Sequence, residues 1–153
     1  LGNWSAAAQG GPGDGTAPEL EGTWRTRVAV YGYPGGDPPP LEGALVTFAR
    51  GGVMMGSVPV PSGDSPALGV WTRIGPRRFG FTFDQYWFNA GTGLPEGKTT
   101  GKEIIEVSAD GNTYDSVEAS AVDYFFATGE TIPYCARTHG ARMRVEAPEA
   151  RCR

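Results

Sequence analysis

The stretch that decides the fold is GTWRTRVAVY, residues 22–31, which opens the patterned part of the chain. A second strand-like run ends in RMRV, residues 142–145. A Gly-x-Trp at the start of the first strand and a basic residue at the end of the last are typical of small up-and-down β-barrels. The reason is mechanical: an indole closes one end, while a guanidinium stacks on it and donates hydrogen bonds to nearby carbonyls.

Between these two runs, short segments with strand alternation are separated by turns rich in glycine and proline. Eight strands are predicted, at residues 22–31, 45–49, 53–58, 69–74, 78–89, 98–108, 113–127 and 131–145. Hairpin connections between neighbours give an antiparallel meander, and eight strands suffice to close a barrel. The sequence therefore predicts an all-β, eight-stranded, antiparallel up-and-down β-barrel, with an open sandwich as the alternative.

The length and composition indicate one globular domain with loose ends. The chain has 153 residues, 39% of them apolar and 20% charged, and its 24 glycines and 13 prolines are read as turn residues. We expect a flexible arm at residues 1–19, a barrel at residues 20–146 and a tail at residues 147–153. A net charge of −4 argues against nucleic acid or an anionic membrane as the main partner. No apolar run is long enough for a transmembrane helix, so no integral membrane association is expected.

The two cysteines predict a disulfide. Cys135 falls in the last strand and Cys152 in the tail. A bridge would close a loop of about 17 residues, contribute about 3 kcal/mol through the unfolded state and pin the tail to the barrel. It would also indicate a secreted or periplasmic protein, whereas unpaired thiols would indicate the cytoplasm. Two cysteines and one histidine lack metal-ligand spacing, so no metal site is expected.

These features resemble the lipocalin or calycin group of small barrels over residues 21–146. The segments GVWTRIGPRRF (69–79) and SADGNTY (108–114), with the strand around Cys135, resemble small microbial barrel proteins that are mostly uncharacterised. The resemblance implies that Trp24 is the barrel plug and that Arg142 or Arg144 covers it. It also implies binding of small apolar molecules, and some related small barrels are isomerases or cyclases. The chain departs from the group in having no obvious 3₁₀ turn before Gly22.

The most aromatic predicted strand includes FGFTFDQYWF, residues 79–88. Alternation places five of its side chains on one face: Phe79, Phe81, Phe83, Gln85 and Trp87. This face predicts either a cavity wall for a flat apolar ligand, with the amide fixing its orientation, or a core filled by its own rings. The residues predicted to bind a ligand are Phe81, Phe83, Gln85, Trp87, Tyr124 and Met55.

Few side chains are placed for acid–base chemistry. Glu118 and Tyr124 are an even number of positions apart, so both face one way and could transfer protons together. His139 is the single histidine. We therefore name Glu118, Tyr124 and His139 as catalytic candidates if the protein is an enzyme. Glu103 and Glu106 flank two isoleucines, and we expect whichever points inward to be buried with a raised pKa.

Three functions follow from these predictions. The first is binding of a small hydrophobic or aromatic molecule inside the barrel. The alternative is a cofactor-free isomerase, cyclase or lyase acting on a small apolar substrate there. The third is an interaction module with a solid interior. No phosphate loop, dinucleotide fingerprint or calcium loop is present in the sequence, so no cofactor is expected. We expect a monomer or a homodimer.

Overall fold

The computed structural model describes residues 19–59 and 64–146. Within them, eight strands form one closed antiparallel barrel whose strand order follows the chain. The strands are β1 (Gly22–Tyr31), β2 (Leu41–Ala49), β3 (Val53–Ser57), β4 (Ala67–Arg73), β5 (Arg78–Phe88), β6 (Pro95–Val107), β7 (Thr113–Phe125) and β8 (Thr131–Arg142). β1 pairs with both β2 and β8, so the predicted barrel is confirmed and the open sandwich is wrong. No helix in these two ranges is long and apolar enough to cross a membrane.

The closed end of the barrel is filled by large side chains. Alternation along β1 buries Trp24 and Thr26 and leaves Arg25 and Arg27 exposed. Seven large side chains at this end are no more than 1% exposed: Leu20, Trp24, Phe48, Phe79, Ile105, Val107 and Tyr114. The Trp24 and Tyr114 rings meet edge to face at 5.1 Å between centroids. This half is a packed core, so for Phe79 the second of the two alternatives left open for the aromatic row is correct.

Arg142 covers the indole of Trp24. Its guanidinium carbon lies 4.2 Å from the centre of the Trp24 ring. The same guanidinium donates hydrogen bonds to the backbone oxygens of Gly111 at 2.7 Å, Glu21 at 2.6 Å and Glu19. Arg142 therefore takes the role that the resemblance implied, and it holds three segments of the chain together.

The residues before Gly22 complete the seal. Leu20 is fully buried, and its carbonyl oxygen accepts a hydrogen bond of 3.0 Å from the indole nitrogen of Trp24. Leu20 thus closes the end that the sequence left without an obvious 3₁₀ turn. Arg144, the other candidate cover, donates instead to Asn112 at the surface. Alternation alone would put both arginines on one face, but β8 ends at Arg142, so Arg144 lies beyond the strand.

Several aromatic rings lie flat on glycines of the neighbouring strand. Tyr114 is paired with Gly140, and a β-carbon added to that glycine would lie 2.0 Å from the Tyr114 ring. Phe83 is paired with Gly101 in the same way, with a corresponding distance of 2.3 Å. Glycine is needed here because any side chain would occupy the volume of the ring. Each of these rings therefore lies over its paired glycine on the neighbouring strand.

The predicted arm and tail fall almost entirely outside the described residues. Residues 1–18 and 147–153 are not described, and Cys152 is among them. The predicted Cys135–Cys152 bridge, and the export that it would indicate, therefore stay predictions. Glu19 was assigned to the arm, but its backbone oxygen is bound by Arg142.

Candidate functional site

A cavity of about 170 Å³ lies inside the barrel, between the packed end and the open mouth. It exists because many inward positions around it carry glycine or alanine: Ala44, Gly56, Ala67, Gly101, Ala121 and Ala136. The larger apolar side chains on its wall include Val46, Met54, Phe81 and Phe83. The expectation of a solid interior is therefore wrong for this half of the barrel, and the expectation of a cavity is confirmed.

Three of the predicted ligand residues line this cavity. Phe81 and Phe83 form part of its wall, and Phe81 also belongs to the packed core. Gln85 lies nearer the mouth, where its amide donates a 3.1 Å hydrogen bond to the carbonyl oxygen of Ser65. Trp87 does not reach the cavity wall: its ring packs against Phe125 at 5.0 Å between centroids.

Two predicted ligand residues lie on the outer surface, and these placements are corrections. Met55 is 53% exposed, whereas its neighbour Met54 is 2% exposed and lines the cavity. Only one of two consecutive residues in a strand can face inward, and the prediction chose the wrong one. Tyr124 is 37% exposed, and its ring packs against Phe126 outside the barrel.

The three catalytic candidates do not face the cavity either. Glu118 and Tyr124 share one face, as their spacing predicted, but it is the outer face. The reason is a β-bulge in β7: Ser116 pairs with Ile105 and Glu118 with Ile104, which leaves one extra residue between them. His139 is exposed on β8, with its Nδ1 2.7 Å from Asp115 Oδ1. The placement of Glu118 and Tyr124 on an interior wall is thus wrong.

The carboxyl group that does face the cavity belongs to Glu103, which is 6% exposed. Its Oε1 accepts hydrogen bonds from the Ser116 hydroxyl and from the Thr138 backbone nitrogen at 2.9 Å. The Thr138 hydroxyl lies 3.0 Å from both carboxyl oxygens. Glu106 points outward and pairs with arginines, so the expectation of one inward and one outward glutamate is confirmed.

Two side chains at the floor of the cavity, the end next to the packed core, have raised pKa values. Burial raises the pKa of Glu103 to about 8, although hydrogen bonds from Thr138 counteract part of the rise. Burial also raises the pKa of Tyr114 to about 12. The Tyr114 hydroxyl is 3.0 Å from the Thr26 hydroxyl, and both residues line the cavity. A carboxyl group whose pKa is raised to about 8 therefore faces an otherwise mainly apolar space.

A second carboxylate lies near the mouth. Asp123 is 8% exposed and accepts hydrogen bonds from Thr99 at 2.6 Å, Tyr134 at 2.9 Å and Tyr33 at 3.1 Å. Tyr33 belongs to the loop after β1, and its ring meets Tyr134 at 5.2 Å. Burial, followed by the charge of Asp123, raises the pKa of both tyrosines. The sequence did not single out Asp123 as a site residue, because the bulge in β7 that turns it inward has no clear sequence signal.

Within residues 19–59 and 64–146, no group of three or more His, Cys, Asp or Glu residues is placed to hold a metal ion. No protein-family model, curated protein or solved structure matches the chain.

Proposed function

We propose that this barrel binds a small apolar molecule of about one aromatic ring. The observation that carries the proposal is the mainly apolar cavity of about 170 Å³. A dry apolar cavity of about 150 Å³ in another protein holds benzene, whereas sites for drug-sized ligands run from roughly 300 to 1,000 Å³. The size therefore favours one ring over a long acyl chain or a fused ring system.

The resemblance to lipocalins supports the same proposal, since that group binds small apolar molecules. The wall chemistry adds to it: Phe81 and Phe83 offer ring faces, while Thr26 and Tyr114 offer hydroxyls at one end. An apolar wall with a few polar groups at one end is the usual design of a small-molecule site. The ligand would place its ring between the aromatics and its polar substituent at the floor.

Calorimetric titration with benzyl alcohol and with decan-1-ol, which are both uncharged, tests this proposal. We expect saturable binding of benzyl alcohol and none of decan-1-ol. The variant Ala136→Leu puts a larger side chain into the cavity and should abolish binding, because Ala136 lines it. Ala141→Leu on the same strand is the matched control, since Ala141 is exposed. Equal binding by both variants would show that the ligand sits elsewhere.

A second candidate, a cofactor-free isomerase or cyclase, is favoured by one observation. The pKa of Glu103, raised to about 8 by burial, lies close to neutral pH, where a general acid or base works best. Tyr114 could donate a hydrogen bond to a substrate oxygen at the same floor. Incubation with a panel of small apolar carbonyl compounds distinguishes the two functions: consumption of a compound by the wild type and not by Glu103→Gln supports the enzyme.

A further inference from the structure

We propose that the Glu103 end of the cavity is a cation subsite, and that the ligand class is a monocyclic arylalkylamine, with its amine on a side chain of the ring, bound as its ammonium. This inference rests on the proposed function and names its ligand. In the complex, the ammonium of the ligand pairs with the Glu103 carboxylate at the floor, while the ring lies between Phe81 and Phe83. The proton that the free protein holds on Glu103 is released to solvent.

Hydrogen-bond donors around Glu103 are placed to stabilise its ionised form. The Thr138 backbone nitrogen donates to Oε1 and to the Ser116 hydroxyl oxygen, and the Ser116 hydroxyl is within reach of Oε1 and of the Thr138 carbonyl oxygen. The Thr138 hydroxyl is within reach of both oxygens. An ionised carboxylate accepts all of these bonds, whereas a protonated one gives up part of its accepting capacity. The donors are therefore in place for a charge that burial alone disfavours.

No side chain of the barrel supplies the opposite charge. The titratable and polar groups that face Glu103 are Tyr114 and Ser116 from β7, Thr138 from β8 and Thr26 from β1, all neutral at pH 7. The residue paired with Glu103 on β5 is Phe81. Among the described residues that line the cavity, Lys102 is the single basic one, but it is exposed and alternates with Gly101 and Glu103 onto the outer face of β6. An ionised Glu103 therefore has no cationic side chain to pair with, and a cation from outside the protein can take that place.

The mouth of the barrel favours the same ligand charge. Asp123 lies beside Thr99 and Tyr134, which line the cavity. One carboxyl group thus lies behind the cavity wall near the mouth, and a second faces the cavity at the floor. The chain as a whole carries a net charge of −4. A cation is attracted along this path, and an anion such as a carboxylic acid is repelled.

The test compares benzylamine with benzyl alcohol, which share a ring and a methylene and differ in charge. At pH 8 we expect benzylamine to bind about tenfold more tightly, because a buried charge-assisted hydrogen bond is stronger than a neutral one. The variant Glu103→Gln should lose this preference and keep its binding of benzyl alcohol. Glu106→Gln is the control, since Glu106 faces outward, and it should behave like the wild type.

The pH dependence of the wild type tests the inference without any variant. Below the pKa of Glu103, the ionised fraction falls tenfold for each pH unit. The dissociation constant of benzylamine should therefore rise about tenfold from pH 7 to pH 6, while that of benzyl alcohol stays constant. Calorimetry at pH 7 in two buffers of different ionisation enthalpy should show release of nearly one proton with benzylamine.

Each outcome separates the inference from the proposed function. Binding of benzyl alcohol with equal or weaker binding of benzylamine, and no proton release, overturns the cation subsite and leaves the cavity proposal standing. Failure of both compounds to bind overturns both proposals. If Glu103→Gln does not fold, the pH series and the proton count on the wild type decide the question.

Discussion

The closed end and the cavity half of the barrel are built from the same eight strands with the same alternation, but the first is filled and the second is hollow. At the closed end, the inward positions carry Trp24, Phe48, Phe79 and Tyr114, and the space is filled. In the cavity half, many inward positions carry alanine or glycine, and a space of about 170 Å³ remains. Strand number is the same for both halves, so the side-chain volume at the inward positions decides whether the barrel is solid or hollow.

The two halves also differ in the hydrogen-bond partners and surroundings of their polar side chains. The closed end satisfies its indole and guanidinium with backbone oxygens, in contacts that serve stability. The cavity half instead buries Glu103 next to empty space, which costs stability and which we propose serves binding. The proposed function thus assigns binding and stability to different ends of the barrel axis.

The largest effect is expected at the plug. Trp24→Ala removes a fully buried indole, and we expect the free energy of unfolding to fall by about 4 kcal/mol. Trp87→Ala, at the partly exposed mouth end, should cost about half as much. Urea unfolding followed by circular dichroism measures both. Equal losses would mean that the closed end is no more tightly packed than the mouth.

Glu103 should make the protein less stable as the pH rises. Its pKa is about 8 in the folded protein and about 4.5 when unfolded, so between these values the folded state binds more protons than the unfolded state. Stability contributed by the protonated form is complete below pH 4.5 and is lost as the pH rises to 8. From pH 5.5 to 8, the loss should be about 3 kcal/mol. Glu103→Gln should remove this dependence in urea unfolding across that range, and a parallel slope in the variant would contradict it.

Arg142 should matter more than its neighbour Arg144. Arg142→Ala removes the stacking on Trp24 and hydrogen bonds to three backbone oxygens, and we expect a loss of about 2 kcal/mol. Arg144→Ala removes an exposed contact and should change stability by less than about 0.5 kcal/mol. Thermal denaturation of the two variants side by side checks the difference. Similar melting temperatures would argue against Arg142 as the cover.

The smallest effect is expected at the mouth. Tyr134→Phe removes one of the three donors to Asp123 and should cost about 1 kcal/mol, since a buried acceptor loses a partner. Tyr31→Phe is the control, because Tyr31 is half exposed. Urea unfolding of both proteins measures the cost. A loss as large as that of Trp24→Ala would show that the mouth contributes to stability as much as the closed end.

The fold could be predicted almost completely from the sequence, because it depends on local patterns. Alternation and turn residues placed eight strands, and Gly22-Thr23-Trp24 identified the closed end. β2 begins at Leu41, directly after the prolines, rather than at residue 45. The error is small because each strand is delimited by residues that cannot continue a ladder, such as proline.

The candidate site could be predicted only in part, because it depends on which face of each strand points inward. For β5 the aromatic row made the inward face clear, and Phe81 and Phe83 line the cavity. For β3 nothing in the local sequence distinguished Met54 from Met55. For β7 the bulge between Ser116 and Glu118 shifted the register, so residues chosen by even spacing lie outside. Such a shift depends on how β7 pairs with β6, and the sequence of β7 alone does not determine that pairing.

The hydrogen bonds of Arg142 to the backbone of Glu19 and Glu21 join positions 123 and 121 residues apart in the chain. During synthesis, the closed end of the barrel therefore cannot form until β8 has been made. Until then the indole of Trp24 stays uncovered, and the edge of β1 has no β8 to pair with. A nascent chain of this protein is thus open to association with other chains until the final strand leaves the ribosome, and truncation before residue 142 should leave it permanently in that state.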